Sequence, residues 1–140
     1  MTIRKMTAAD VAAAAEIEST VLDGWSTDGI AAALRFEASR CFVAEENGEI
    51  AAFCAFTLVC GEANLDAVSV AKKFRRRGIA KTLLNAAFDI LHADKIFLEV
   101  RSQNAPALAL YEALGFVRIG TRPHFYQNPA DSAVLMQKTF

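Results

Sequence analysis

The segment Arg75-Arg76-Arg77-Gly78-Ile79-Ala80, followed by Lys81, carries the strongest chemical signal in the chain. A glycine permits backbone torsions that turn several consecutive N–H groups into one concavity. A helix starting at Ile79 adds the positive end of its dipole, and arginines alongside suit a phosphate or pyrophosphate. The arrangement is an anion cradle. It lacks the Lys-Ser/Thr ending of a nucleotide-triphosphate loop and the three glycines of a dinucleotide loop. A solvated basic face ahead of a helix accounts for the same residues. Downstream come Leu98-Glu99-Val100-Arg101-Ser102-Gln103-Asn104 and Leu110-Tyr111-Glu112-Ala113-Leu114-Gly115-Phe116, which supply a carboxylate, a side-chain amide and a phenol.

These groups need a scaffold, and hydrophobic periodicity outlines one. Ile3 to Met6 reads as a short strand. Thr7 caps an Ala-rich helix from Ala8 to Ser19. Asp23 to Ser26 is a loop, and Ser26 or Thr27 caps a second helix running to about Glu37. Cys41 to Glu46 and Glu49 to Val59 are strands joined by Asn47-Gly48, the favoured dipeptide of a tight hairpin. Asn64 to Val70 follows as a third antiparallel strand. Ile79, Leu83, Leu84, Ala87 and Leu91 recur at helical spacing. Ile96 to Val100 is an apolar, interior strand. Asn104 caps a further helix with Pro106 in its first turn and Gly115 past its end. Phe116 to Thr121 and Ala133 to Met136 are the last strands. The order β-α-α-β-β-β-α-β-α-β-β fits an α+β domain, or a mixed sheet with helices on both faces.

Composition narrows the classes further. The chain has 140 residues, 54% of them hydrophobic and 22% charged, which suits one domain with a real core and excludes a disordered chain. Fifteen basic residues against sixteen acidic ones leave a net charge of −1, so no global basic field exists to hold a nucleic-acid duplex. Cys41, Cys54 and Cys60 have no metal-ligand spacing, and Cys54 and Cys60, inside an apolar run, read as small buried hydrophobes. No metal and no disulfide framework are expected. The longest apolar stretch, Ile50 to Cys60, is too short to span a bilayer, which takes about 20 residues. A soluble cytoplasmic protein is expected.

Together these motifs resemble the GCN5-related N-acetyltransferase (GNAT) superfamily, and within it the ribosomal-protein alanine N-acetyltransferase (RimI-like) branch. The family's Arg/Gln-x-x-Gly-x-Gly/Ala loop matches Arg75 to Ala80. Its Leu-Glu-Val-Arg, Asn and Leu-Tyr-Glu-x-Leu-Gly-Phe elements follow in the same order and spacing. The close match runs from about Leu65 to Tyr126. The N-terminal half agrees in element order more than in residues. The resemblance implies one N-acetyltransferase domain over residues 1–140: a mixed, mostly antiparallel sheet of about seven strands with four helices on its two faces. It also implies acetyl transfer from acetyl-CoA to an amine, by direct attack and without an acyl-enzyme.

By the same resemblance, N–H groups from Arg76 through Arg77, Gly78, Ile79 and Ala80 to Lys81 hold the CoA pyrophosphate, with Arg75 alongside. Backbone groups of Val68, Ser69 and Val70 run beside the pantetheine, where this strand splays from the one holding Ile96 to Val100. Asn104 matches a cofactor contact, though a plain helix N-cap explains it as well. Glu99 matches the general base and Tyr111 the general acid. An exposed strand-end acid and a packing tyrosine are the competing readings. An acceptor polypeptide's N-terminus enters between Asp23–Thr27 and Pro123–Asn128, against Trp25 and Tyr126. Phe125 replaces one tyrosine of the family's Tyr-Tyr pair, and Gly24 stands where a proline is usual. An α-amine, with a pKa near 8 against about 10.4 for lysine, suits a modest carboxylate base better. An N-terminal alanine of a ribosomal protein is the leading acceptor. A lysine or small amine, or acyl-CoA binding without turnover, are the alternatives, and oligomeric state is left open.

Overall fold

The computed structural model describes residues 1–140 throughout. After β1 (Thr2–Lys5), Thr7 donates its N–H to Asp10 at 2.8 Å, and a single 3-10 turn, Ala8–Asp10, leads into α1 (Val11–Glu18). Ser26, not Thr27, caps α2 (Thr27–Arg35), accepting the Gly29 N–H at 3.0 Å. Then follow β2 (Ser39–Glu46), β3 (Glu49–Val59) and β4 (Glu62–Val70); β3 has the bounds read from the sequence, while β2 and β4 each start two residues earlier. Between β2 and β3, Asn47 and Gly48 take φ values of 51° and 79°, as the hairpin dipeptide requires.

Cys60 and Gly61, at φ values of 51° and 80°, form a second such turn between β3 and β4. This corrects the reading of Cys60 as buried. The turn ends the apolar run one residue early and leaves Cys60 exposed, while Cys54 is buried as expected and Cys41 is buried as well.

A 3-10 turn, Lys72–Phe74, and the basic loop precede α3 (Ile79–Leu91). The remaining elements are β5 (Lys95–Arg101), α4 (Ala105–Ala113), β6 (Val117–Tyr126) and β7 (Asp131–Thr139). The last two strands extend well past the apolar residues that announce them, because β6 is exposed nearly throughout and carries no burial pattern to read.

All seven strands form one sheet in the order β1-β2-β3-β4-β5-β7-β6. Every neighbouring pair is antiparallel except β4 with β5. Both faces are covered around β2 and β3, which explains their near-continuous apolar sequence. Phe42, Ala52, Cys54 and Phe56 join α3 and α4 in one core, whereas Val43, Phe53 and Ala55 join Ala14 of α1 and Ile30 of α2 in the other. No helix is long and apolar enough to cross a membrane.

The parallel pair positions everything that follows. β4 and β5 are in register only at Glu62↔Lys95, Ala63↔Ile96 and Asn64↔Phe97. Immediately beyond, β4 carries an extra residue: Ala55 faces Ala67 while Phe56 faces Leu65, which leaves Asp66 unmatched. Asp66 is held on the outside by Thr57 Oγ1 at 2.6 Å and Asn64 Nδ2 at 2.7 Å. Such a bulge bends the strand that contains it. β4 therefore leaves β5 just past Asn64, and the two strands splay apart.

Candidate active site

A cleft of about 980 Å³ opens where β4 and β5 separate. Leu65 to Val70 form one side and Glu99 to Arg101 the other, and Asn104 and Tyr111 of the α4 region also line it. The N–H of Ala71 donates to Ala51 of β3 at 2.8 Å. Backbone groups alternate sides along a strand, so those of Val70 and Val68 face the open edge. Arg75 Nε takes the Val70 carbonyl at 3.0 Å, and its Nη2 reaches Thr20 Oγ1 at 3.0 Å. Arg75 thus belongs to the cleft wall more than to a free phosphate-binding set. The hydroxyl of Ser69, itself 5% exposed, is fully enclosed and has no partner.

One end of the cleft leads to the basic loop. Arg76 and Gly78 both take left-handed torsions, φ 66° and 72°. In consequence none of the backbone N–H groups from Arg76 to Lys81 is accepted by another protein atom. The first turn of α3 adds its dipole. Ile79 is buried, so it offers only its N–H, while Ala80 lines the cleft and the Arg76, Arg77 and Lys81 side chains stand in solvent. A row of unpaired donors flanked by cations fits a pyrophosphate.

The other end holds the titratable groups. Glu99 projects from β5 with its side chain 35% exposed, and its nearest cation is Arg122 Nη1 at 3.9 Å. Tyr111 is 8% exposed and packs edge-on against Phe116 at 5.9 Å. Its hydroxyl has no protein partner, and burial pushes the phenol up to about 12. Asn104 Oδ1 accepts the Ala107 N–H at 3.2 Å, so the amide caps α4 and still lines the cleft. Both of its readings hold geometrically.

Trp25 also serves twice, lining the cleft while meeting Phe53 edge-on at 6.2 Å. Its N–H donates to the buried Glu18 carboxylate at 3.1 Å. A Cβ at Gly24 would lie 1.8 Å from the Glu18 carbonyl oxygen, which explains why glycine replaces the more usual proline in this tight loop. Tyr126 lies at the end of β6, half-buried and edge-on to Phe125 at 5.0 Å. Burial first, and then the Glu99 carboxylate, raise its phenol above the ordinary range.

Sequence reading placed Asp23 at the acceptor entrance but singled out no role for Arg101, Asp131 or Glu18, yet all four shape this end. Arg101 forms a fork on Asp23, and Asp131 accepts from Ser102 and from the Gln103 N–H. The available signal was an arginine directly after an apolar strand, which needs a partner when buried.

Residues 10–116 match the model of the acetyltransferase (GNAT) family. The chain belongs to that family. A [ribosomal protein bS18]-alanine N-acetyltransferase of Escherichia coli K12 is 38% identical over 88 residues, covering 61% of this chain and 60% of the relative. An uncharacterized Mycobacterium leprae protein is 33% identical over 143 residues, covering 97% of this chain but only 40% of its own length. The chain thus spans less than two thirds of the length of each of these curated relatives. The crystal structure of the ribosomal-protein-S18-alanine N-acetyltransferase from Escherichia coli superposes with a TM-score of 0.91 at 32% identity, covering 99% of this chain and 92% of that one. The mixed sheet of seven strands with four helices is therefore the GNAT fold, as the motifs implied.

Proposed function

We propose that this chain, acting as one acetyltransferase unit over residues 1–140, moves the acetyl group of acetyl-CoA to the N-terminal α-amine of a polypeptide. The leading acceptor is the N-terminal alanine of a ribosomal protein. The observation that carries this is the splayed pair β4 and β5, with unpaired N–H groups of Arg76 to Lys81 at one end and Glu99, Tyr111 and Tyr126 at the other. Acetyl-CoA, when bound, supplies an activated thioester.

The remaining work falls to this chain's own residues. N–H groups of Arg76, Arg77, Gly78, Ile79, Ala80 and Lys81 hold the pyrophosphate, and the open-edge groups of Val68 and Val70 bond the pantetheine arm. The free amide nitrogen of Asn104 adds a side-chain donor. Glu99, directly or through water, takes a proton from the incoming ammonium so that a neutral amine attacks. Tyr111 is protonated at neutral pH, as any phenol is, and burial pushes it further up, to about 12. As the general acid that the resemblance implies, it donates to the departing thiolate. It stabilises the departing sulfur by donating a hydrogen bond while charge develops there. On balance one proton leaves the ammonium for solvent through Glu99, and the second proton lost by nitrogen ends on the thiol.

An α-amine fits this site better than a lysine. At pH 7 it needs about one unit of deprotonation against more than three for lysine, and the carboxylate that faces it, Glu99, is partly exposed with Arg122 Nη1 3.9 Å away. The name of the Escherichia coli relative, a bS18-alanine N-acetyltransferase, points the same way.

The test is mass-spectrometric detection of transfer from acetyl-CoA to two peptides. One has a free N-terminal alanine and no lysine; the other has a blocked N-terminus and one lysine. Acetylation of the first alone is expected. Reaction of the second instead moves the acceptor to lysine or small-amine chemistry. Failure of both, with acetyl-CoA still bound, makes the chain a binding module. Glu99→Gln should lower turnover while cofactor affinity holds.

A further inference from the structure

Arg101 is the most heavily bonded side chain lining the cleft, and the proton-transfer scheme leaves it without a part. It is 7% exposed. Its Nε and Nη2 meet the two oxygens of Asp23 at 2.7 and 3.0 Å. Nη1 donates to the Pro129 carbonyl at 2.6 Å, and Nη2 also to that of Gln127 at 3.2 Å. The guanidinium plane covers the Tyr126 ring, 4.5 Å from its centroid. One side chain thereby joins the end of β5 to the α1–α2 loop, 78 residues away, and to the β6–β7 hairpin, 26 and 28 residues away. No hydrogen bond or ion pair runs directly between that loop and that hairpin.

A buried ion pair is a costly way to gain stability, because both charges lose water, and an apolar side chain of similar volume often does as well. What an arginine fork adds is direction. It meets a carboxylate in two bonds, stacks on an aromatic face and keeps donors for two carbonyls at once. Its partner matters too. Asp23 cancels the positive charge, so the wall two residues from Glu99 does not repel an ammonium.

We propose that Arg101 is a positioning residue for the acceptor, locking the Asp23 loop and the Tyr126 hairpin into one preformed wall beside Glu99. This rests on the assignment of that end of the cleft to the acceptor. The wall is ordered before the acceptor arrives, so binding does not have to order two separate segments. The anion cradle lies on another segment, and the lock leaves it untouched.

Steady-state kinetics on Arg101→Gln, Arg101→Lys and Asp23→Asn, with an N-terminal alanine peptide, test the proposal alongside acetyl-CoA titration. Removing a partner from a buried, hydrogen-bonded charge pair should raise acceptor KM about tenfold or more in Arg101→Gln. Arg101→Lys keeps the charge without the fork and should fall between that variant and wild type. Asp23→Asn sits on a partly exposed loop, keeps a carbonyl oxygen for the fork and a residue type suited to the left-handed φ of 65°, and should raise acceptor KM several-fold. Acetyl-CoA affinity should stay within about twofold, and kcat should fall less than KM rises.

A spectroscopic readout is independent of turnover. The chain has two tyrosines, so Tyr126 titrates alone in a Tyr111→Phe background. The stacked cation lowers the Tyr126 phenol, and Arg101→Gln should raise it. Acceptor KM unchanged in both Asp23→Asn and Arg101→Lys, with a wild type that turns over, overturns the proposal alone. Acetyl-CoA affinity falling in step with acceptor KM overturns it as well, since that marks a general structural role. A wild type that acetylates no amine defeats the acceptor assignment and this proposal together.

Discussion

The two ends of the cleft are built by opposite means. At the cradle end the working groups are backbone N–H donors from one unbroken run, Arg76 to Lys81, turned inward by two left-handed residues. At the acceptor end they are side chains brought together from distant segments: Asp23, Glu99, Arg101, Tyr126 and Asp131. A backbone cradle depends on torsions and tolerates side-chain change. A side-chain wall depends on each partner's identity and tolerates very little. One end is therefore suited to hold the same cofactor under wide sequence drift, while the other can be retuned to a new acceptor by few substitutions.

Experiments that separate the ends sharpen this contrast. The largest effect is expected at the end that holds Glu99: Tyr111→Phe should lower kcat about 10²–10³-fold, as loss of a single donor to developing charge does, with acetyl-CoA affinity intact. An unchanged rate would leave Tyr111 as packing against Phe116. Next comes the cradle. A Cβ at Gly78 meets nothing within 4 Å, so Gly78→Ala costs only the strain of φ 72°, about 1–2 kcal/mol. Acetyl-CoA affinity measured by calorimetry should drop about five- to thirtyfold, with acceptor KM unmoved.

Smaller still is Arg77→Ala. That side chain is exposed and stacks on Phe74 at 5.5 Å, so its loss should weaken acetyl-CoA binding a few-fold, less at high salt. A loss matching that of Gly78→Ala would break the idea that backbone dominates there.

The smallest effect concerns acid. Hydrogen bonds from Ser102 foremost, then from the Gln103 and Ser132 N–H groups, hold the Asp131 carboxyl below its usual range. A lowered folded-state pKa contributes stability above the unfolded value of about 3.9, and that contribution is lost as pH falls through the folded value. Asp131→Asn should thus lower Tm slightly at neutral pH. The difference from wild type should vanish in melts taken well below pH 3.9.

The same contrast explains what the sequence disclosed. Short-range signals were readable: Asn47-Gly48 marked its hairpin, Asn104 its helix start, and Arg75 to Ala80 the cradle, because each acts on neighbouring backbone. Glu99 and Tyr111 were singled out by a resemblance in motif order, and the fold brought both to one cleft. Long-range pairs left no local mark. Nothing near Asp23 announces a partner 78 residues on, and β6, exposed on both faces, has no alternation to reveal its length. Cys60 misled because an apolar run suggests burial even for the residue just past the strand's end, and the positive φ at Cys60 places it in an exposed turn.

The short seam between β4 and β5 has a thermodynamic consequence. Three register pairs join a half-sheet of β1 to β4 to another of β5 to β7, whereas β5 and β7 pair along seven. Opening at that seam costs little backbone bonding, so amides from Leu65 to Val70 that face it should exchange with solvent faster than those facing β3. A molecule bonding both strands at once couples the halves, and its binding energy appears as folding stability. At a concentration of 100 Kd this amounts to about 2.7 kcal/mol. The protein is thus expected to melt as a firmer unit whenever its cosubstrate is abundant, which ties its lifetime to the supply of the acetyl donor.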